Sequence, residues 1–510
     1  MNEKCSLLLK EVVNKKYHNI KYDKVNFNEE EFYYDFKCDE KVSENDFEEL
    51  EKEIKKLDDV CIKLIRISGV HIDADINNEM INRIVGKSFK NREELDKYLK
   101  FLSDAKERDH RKIGADLDLF CFSDYVGAGL PLYTPRGTII LDELKKEMER
   151  LCKKFEYEKV SCPSLSDISL FETSGHASKF NEELFRVTSP QGHEFALKPV
   201  QCPHHTQIYA SKLRSYKDLP IRYMEFDKQY RAELKGAVGN SLARTYAFNV
   251  EDGHVFCRSD QVKEEIINIC NLIKEFYTNM GLWNNYWVSL SVRDYEHLEK
   301  YIGDVDDWDY CENLLKEISL ELGLNAIKCE GEAALYGPKL DFMFKDALGR
   351  EIQIPTIQLD FATPKRFNLF YIDELGNKQN PVMIHRAILG SFERFLVLLL
   401  EQFKGVLPVW LSPNQVNIIP INIKYHDEYS KKIKELLERE NIRVSYDNSK
   451  ENLGKKIRNS QIMKNPYTLI IGDNEKNNNL VSYRMYGSDE TFKMNIDEFI
   501  EYLKEEIRKR

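Results

Sequence analysis

The sequence predicts an α+β multidomain protein: a large central domain on an antiparallel β-sheet flanked by helices, followed by a smaller α/β domain. Three observations carry this expectation. The 510 residues suffice for two to four domains, each with its own core. From Asp118 to about Gly405, short β-like runs alternate with turns and a few long helices, as an antiparallel sheet with helices laid on it requires. From Val416 onward, strand and helix patterns alternate one by one, which implies a βαβ domain with a mostly parallel sheet.

Residues 1–68 read as a small acidic α+β unit, with helix-period stretches at Leu7 to Val13 and Phe47 to Leu57 and a strand pattern at Phe32 to Phe36. Residues 69–117 read as a linker. It holds the end of a β-like run from Ile65 to Ala74, and then charged helix-formers from Asn91 to Lys112 that predict one connector helix. In the central domain, 118–407, Thr138 opens a helix whose Leu141, Leu144, Met148 and Leu151 form one apolar face, and Tyr157 to Val160 runs as a strand into Pro163. Asp341 to Lys345, Arg350 to Ile354 and Thr356 to Phe361 read as separate strands. In the last domain, 408–510, strands at Val416 to Ile421, Val444 to Tyr446 and Thr468 to Ile471 alternate with helices at His426 to Glu440 and Lys455 to Met463.

Composition removes several classes of function. A hydrophobic content of 42% with 11% aromatics is that of packed domains and excludes global disorder. A net charge of −11 argues against non-specific nucleic-acid binding, which depends on lysine and arginine neutralising phosphates. Any RNA must therefore meet a local basic surface. Eleven cysteines without a C-x-x-C pair read as reduced thiols, and no apolar run has the length of a leader or a membrane span. The expectation is a soluble, cytoplasmic protein with no membrane partner.

Two short patterns carry the chemistry. Arg231-Ala232-Glu233 is an R-x-E expected on a strand. Gly390-Ser391-Phe392-Glu393-Arg394-Phe395 opens an apolar helix about 160 residues later. A lone R-x-E is commonly a surface ion pair. Two arginines in such settings suit phosphate, because guanidinium is permanently charged and bidentate toward it. Around them stand Gly129-Leu130-Pro131, Thr173-Ser174-Gly175-His176, Cys202-Pro203, His254-Val255-Phe256-Cys257-Arg258, Tyr336-Gly337-Pro338-Lys339, Gln358-Leu359-Asp360-Phe361 and His385-Arg386-Ala387.

In order and approximate spacing, these segments resemble the threonyl-tRNA synthetases, a family of class II aminoacyl-tRNA synthetases, over about 400 residues. The resemblance implies a class II antiparallel-sheet catalytic domain and a C-terminal anticodon-binding domain. It further implies a homodimer formed through a motif that includes Pro163. The implied reaction is ATP-dependent activation of L-threonine and its transfer to tRNA(Thr), with Mg2+ accompanying ATP. Arg231 would hold the α-phosphate and Arg394 the γ-phosphate, Phe248 would stack on adenine, Glu233 would help fix the base, and Gln353 would touch the nucleotide. Cys202, His254 and His385 fall on the family's three ligands for one Zn2+ per subunit. Three such ligands leave a fourth position open, where a substrate hydroxyl can be tested against isosteric valine. Asp252, Tyr336, Lys339, Gln358 and Ala387 would line the threonine pocket. His176 would be the general base for the tRNA ribose hydroxyl, a task that suits a neutral imidazole. Glu451 and Arg458 would meet the anticodon, whose single-stranded bases are read by hydrogen bonds and stacking.

The chain also departs from the family. Ser6 and Lys10 stand where an editing domain carries two histidines, and Leu57 to Val60 runs almost directly into Ile67 to Val70, with no room for the second half of that site. Residues 1–68 thus resemble an editing domain with its active part removed. Val250, Tyr246, His204 and Pro355 replace the glutamine, arginine, glycine and glycine usual at those places. Two alternatives stay open on sequence alone: a paralogue with altered amino-acid specificity, and a non-catalytic RNA-binding paralogue.

Overall fold

A computed structural model of the chain describes all residues except 73–78, 180, 235–236, 285, 325 and 510. The backbone divides into two compact units, Met1–Lys106 and Glu107–Arg510.

In the first unit, four antiparallel strands run in the order Tyr22–Phe27, Phe32–Lys37, Met80–Phe89, Cys61–His71. Two helices, Asn2–Lys16 and Phe47–Leu57, supply Leu9, Val12, Leu50 and Ile54 to a core shared with Phe32, Tyr34 and Phe36. Helical spacing on one side and alternation on the other bring these residues to a common face. The boundary expected at residue 68 falls inside the Cys61–His71 strand, whose hairpin with Met80–Phe89 extends the unit to Lys106. Positions 73 and 74 of the expected Ile65 to Ala74 run lie outside the described residues. The single connector helix is instead two, Arg92–Arg108 and His110–Asp116. The break comes at Asp109, whose carboxylate caps the second helix by accepting from the Arg111 N–H at 2.8 Å. Ser6 is buried with its hydroxyl donating to the Glu3 carbonyl, and Lys10 pairs with Asp23.

The second unit is built on an eight-stranded sheet. Its order is Ile327–Glu330, Tyr286–Val292, Lys339–Lys345, Glu351–Asp360, Val382–Ser391, Ala247–Cys257, Ile221–Tyr230, Glu158–Lys159. The interior pairings are antiparallel and only the two edge strands pair parallel. Helices Pro135–Lys154, Val262–Asn279 and Phe392–Gln402 contribute Leu144, Ile269 and Leu396 to one large core with the sheet. The Pro135–Lys154 helix starts three residues before the expected Thr138, because Thr134 caps it at the Gly137 N–H and Pro135 occupies its first position. Pro355 does not separate two strands as expected. It sits where the register with Lys339–Lys345 shifts, so one strand continues past it through a bulge.

Residues 416–506 keep a core of their own, with Val416, Ile418, Leu437, Leu469 and Phe499 at its centre. The mostly parallel sheet expected here is mixed. Val444–Tyr446, Val416–Pro420 and Tyr467–Ile471 run parallel, but Leu480–Met485 and Phe492–Asn495 return antiparallel. The connection from Ile471 to Leu480 holds only the short helix Asp473–Asn478, and a parallel crossover needs a dozen residues or more. Among the described residues, no helix is long and apolar enough to cross a membrane.

Candidate active site

Four central strands open onto one cavity of about 310 Å³. Arg231 does not lie on a strand as expected. The Ile221–Tyr230 strand ends one residue earlier, and Arg231 begins the loop that returns at Ala247. Its N–H donates to the Tyr246 carbonyl at 2.9 Å, which closes the neck of that loop. Its guanidinium lies 5.4 Å from the centre of the Phe248 ring. Arg394 enters from the Phe392–Gln402 helix, which Ser391 caps by accepting from the Arg394 N–H at 3.2 Å. Partial desolvation, then the charges of Arg231 and Arg244, hold its guanidinium below the usual arginine range, although the side chain stays open to solvent. Arg244 in turn pairs with Glu233 at 3.1 Å. This end of the cavity therefore gathers three arginines around an aromatic platform, a setting suited to a polyphosphate and a base.

Gln353 also faces the cavity, and its amide donates to Asp341 at 2.7 Å. Asp341 further accepts from Thr356 and Ser291 and pairs with Lys339 at 3.0 Å. Lys339 is thus turned toward Asp341 and is not among the residues lining the cavity.

At the other end, the ligand atoms of Cys202, His254 and His385 lie within 4.8 Å of one another and all three residues are buried. Their nearness follows from topology: His254 and His385 are direct cross-strand partners, and Cys202 is the first residue of a helix laid beside them. Each imidazole has one nitrogen engaged elsewhere. His385 Nε2 meets Asp360 at 2.8 Å, and His254 Nδ1 meets His205 Nδ1 at 2.7 Å, with His205 Nε2 3.4 Å from Glu225. His385 Nδ1 and His254 Nε2 are left for a common partner. Burial, then Asp252 and Asp360, pushes the Cys202 thiol well above its usual range, while burial pulls His254 well below its own. A cation among them would reverse the cost of the thiolate. One thiolate, two imidazoles and carboxylate support behind a histidine make a donor set that fits zinc.

Beside this cluster, burial raises the Asp252 carboxyl to about 6. Tyr336 stacks on His385 with centroids 4.5 Å apart and donates to Gln358 at 2.7 Å. Ala387 and Val250 line the same wall. Gly253 passes under the fully buried Arg386, where a Cβ would stand 2.5 Å from the guanidinium carbon. Arg386 pairs with Glu251, and the strand register shifts between Glu251 and Gly253 at Asp252.

His176 sits outside the cavity lining, its ring 6.4 Å from that of Tyr336 and its Nδ1 2.9 Å from Ser174 Oγ. Burial, then the charges of His385 and Arg231, lowers it to about 4, so the imidazole is neutral near pH 7. Pro163 lies in irregular chain before the Leu165–Asp167 strand, and His204 bonds Ser166. Glu451 and Arg458 are exposed, the first paired with Lys455 and the second on the Leu453–Ile462 helix, and neither borders the cavity. Residue spacing missed His205, Asp341, Arg244 and Asp360. Arg244 borders the cavity itself, whereas His205, Asp341 and Asp360 act through His254, Gln353 and His385, and only Asp360 lies in a segment that the sequence marked for chemistry.

Residues 185–403 match the family model of the tRNA synthetase class II core domain (G, H, P, S and T), and residues 415–506 match that of the anticodon binding domain. A threonine–tRNA ligase of Geobacillus sp. (strain WCH70) is 42% identical over 447 residues, covering 88% of this chain and 69% of that protein. One of Staphylococcus aureus (strain bovine RF122 / ET3-1) is 37% identical over 563 aligned positions, covering 98% of this chain and 87% of the relative. Among solved structures, the RNA binding domain of threonyl-tRNA synthetase from Cryptosporidium parvum Iowa II superposes with a TM-score of 0.74 at 34% identity, covering 78% of this chain and 98% of the other. By family model, by sequence and by fold, this chain belongs to the threonine–tRNA ligases, within the class II aminoacyl-tRNA synthetases.

Proposed function

We infer that the chain activates L-threonine with ATP and transfers it to the 3′-terminal adenosine of tRNA(Thr), working as a homodimer with one zinc ion per subunit and Mg2+ accompanying ATP. In this reading residues 118–407 form the catalytic domain and 408–510 the anticodon-binding domain, where Glu451 and Arg458 meet the tRNA. One observation carries the reading: a single cavity is lined by Arg231, Arg394 and Phe248 at one end and by Cys202, His254 and His385 at the other.

Threonine's carboxylate attacks the α-phosphorus of ATP and pyrophosphate leaves. Negative charge develops on phosphate oxygens, so the residues need to orient and stabilise more than to transfer protons. Arg231 acts on the α-phosphate and Arg394 on the γ-phosphate, Phe248 and Glu233 seat the base, and Gln353, held by Asp341, touches the nucleotide. Zinc held by Cys202, His254 and His385 would supply a Lewis acid for the amine and hydroxyl of threonine, a polar test that an apolar pocket cannot apply to valine. Asp252 accepts the hydroxyl's hydrogen bond, and Tyr336, Gln358 and Ala387 close the wall around it. In the second step a ribose hydroxyl of the terminal adenosine attacks the threonyl carbonyl, AMP leaves, and neutral His176 takes the hydroxyl's proton.

We further infer that this chain has no editing activity of its own. Ser6 and Lys10 occupy the places of catalytic histidines. The Staphylococcus aureus alignment is also longer than this chain, so that relative holds residues in the aligned span with no counterpart here.

An amino-acid panel in ATP–pyrophosphate exchange, with metal measured on the purified protein, tests the main reading. Threonine is expected to support exchange far better than valine, with zinc near one equivalent that Cys202→Ser abolishes. Exchange with another amino acid only, or none at all, would identify an altered or non-catalytic paralogue instead.

A further inference from the structure

We propose that His110, which lies before the catalytic sheet, is a positioning residue for ATP: it latches the returning arm of the 231–246 loop. His110 opens the His110–Asp116 helix and is buried. Its Nδ1 lies 2.7 Å from Glu401 Oε1, near the end of the Phe392–Gln402 helix that carries Arg394. Its Nε2 lies 3.1 Å from Ser241 Oγ and 3.4 Å from the Leu242 nitrogen. A backbone N–H can only donate, so Nε2 is the acceptor and Nδ1 carries the proton that goes to Glu401. One neutral ring therefore joins the loop to the helix, and each nitrogen has a partner that determines the tautomer.

The two residues after Leu242 give the latch its purpose. Ala243 presents its carbonyl to Arg394 Nε at 3.3 Å, and Arg244 pairs with Glu233 at 3.1 Å. Both contacts involve groups assigned here to the nucleotide, so the proposal rests on that assignment. Leu242 itself is fully buried and lines the cavity. Around the ring the charges are already matched. Glu401 also pairs with Arg350, Asp109 pairs with Arg111 at 2.5 Å, and Arg108 donates to the Glu401 and Gln402 carbonyls at 3.0 and 2.9 Å. The ring is therefore held by partners on its own side, while Ala243 and Arg244 on the loop are exposed. Losing the acceptor leaves the Leu242 N–H unsatisfied in a buried place and frees Ala243 and Arg244 to move. Such a change loosens ATP but leaves the threonine end of the cavity in place.

Three variants separate this role from general support, read by KM for ATP and for threonine in pyrophosphate exchange and by melting temperature. His110→Asn can keep a donor near Glu401 but cannot reach the loop, His110→Gln can place an acceptor near the Nε2 position, and Ser241→Ala leaves the histidine untouched. His110→Asn and Ser241→Ala are each expected to raise the ATP KM roughly tenfold, with the threonine KM within about twofold, and His110→Gln to recover most of the loss. ATP and threonine KM rising together, or the ATP KM unmoved in both variants, overturns the latch. Arg394→Ala is the control: if it leaves the ATP KM unchanged, the nucleotide assignment fails, and the latch with it.

Discussion

At the residue scale, the site works through partners that hold its side chains in one chemical form. His254 would present Nε2 to a metal because His205 occupies its Nδ1, and Glu225 stands behind His205. Outer partners of this kind typically set metal affinity by roughly 10- to 100-fold. His205→Asn is therefore expected to weaken zinc binding by about that factor in a chelator competition, and unchanged affinity would show that His205 does not orient the ligand. His176 makes a second test. Its pKa is lowered to about 4 by burial and then by His385 and Arg231, so its neutral, proton-accepting form persists above that pH. Transfer of threonine from preformed adenylate should then show no titration of His176 near its ordinary value of about 6.5, and His176→Ala should slow that step by roughly 10²-fold or more while sparing pyrophosphate exchange. A transfer step with a midpoint at that ordinary value, removed by His176→Ala, would contradict this account.

At the element scale, close backbone packing determines where the reactive side chains point. A Cβ on Gly337 would lie 1.6 Å from the Leu359 carbonyl oxygen. The clash is with the backbone of the Glu351–Asp360 strand, which cannot swing aside. Gly337 therefore lets Tyr336 approach the strand closely enough to stack on His385 and to donate to Gln358. Gly337→Ala is expected to cost about 1–3 kcal/mol of stability and, by displacing Tyr336, to raise the threonine KM more than the ATP KM. Equal kinetics in a folded Gly337→Ala enzyme would refute the link. Capping also determines where helices begin: Thr134 and Ser391 are N-caps with partners three residues on, and the first of them moves its helix start ahead of the expected Thr138.

At the scale of the whole molecule, the described residues of the Met1–Lys106 unit form a four-stranded sheet and two helices around a core of their own. The first helix carries Ser6 facing inward, bonded to Glu3, and Lys10 bonded to Asp23, so neither offers a base to an ester. Serine differs from threonine by one methyl group, which a pocket separates by only about 1–3 kcal/mol. Some seryl-tRNA is therefore expected as a product. Incubated with purified seryl-tRNA(Thr), the enzyme should release serine no faster than the uncatalysed rate, and rapid release would place an editing site in this chain after all.

Cys202, His254 and His385 became metal-ligand candidates only through the family resemblance, but the sequence by itself determined the α+β class, the alternation that ends in an α/β domain and the two arginine motifs. These are written in local periods and residue types, and their order along the chain sufficed to show the family. Tertiary structure alone decided that His254 and His385 are cross-strand neighbours, that Pro355 rides a bulge inside one strand, and that the last two strands turn back antiparallel. It also decided that Lys339 serves Asp341 and that His110 reaches a loop more than a hundred residues away. The physical reason is the same in each case. Hydrogen-bond partners and strand register are properties of pairs, and the periodicity of one segment does not say which partner it meets, whether two residues away, as for Lys339 and Asp341, or more than a hundred, as for His254 and His385.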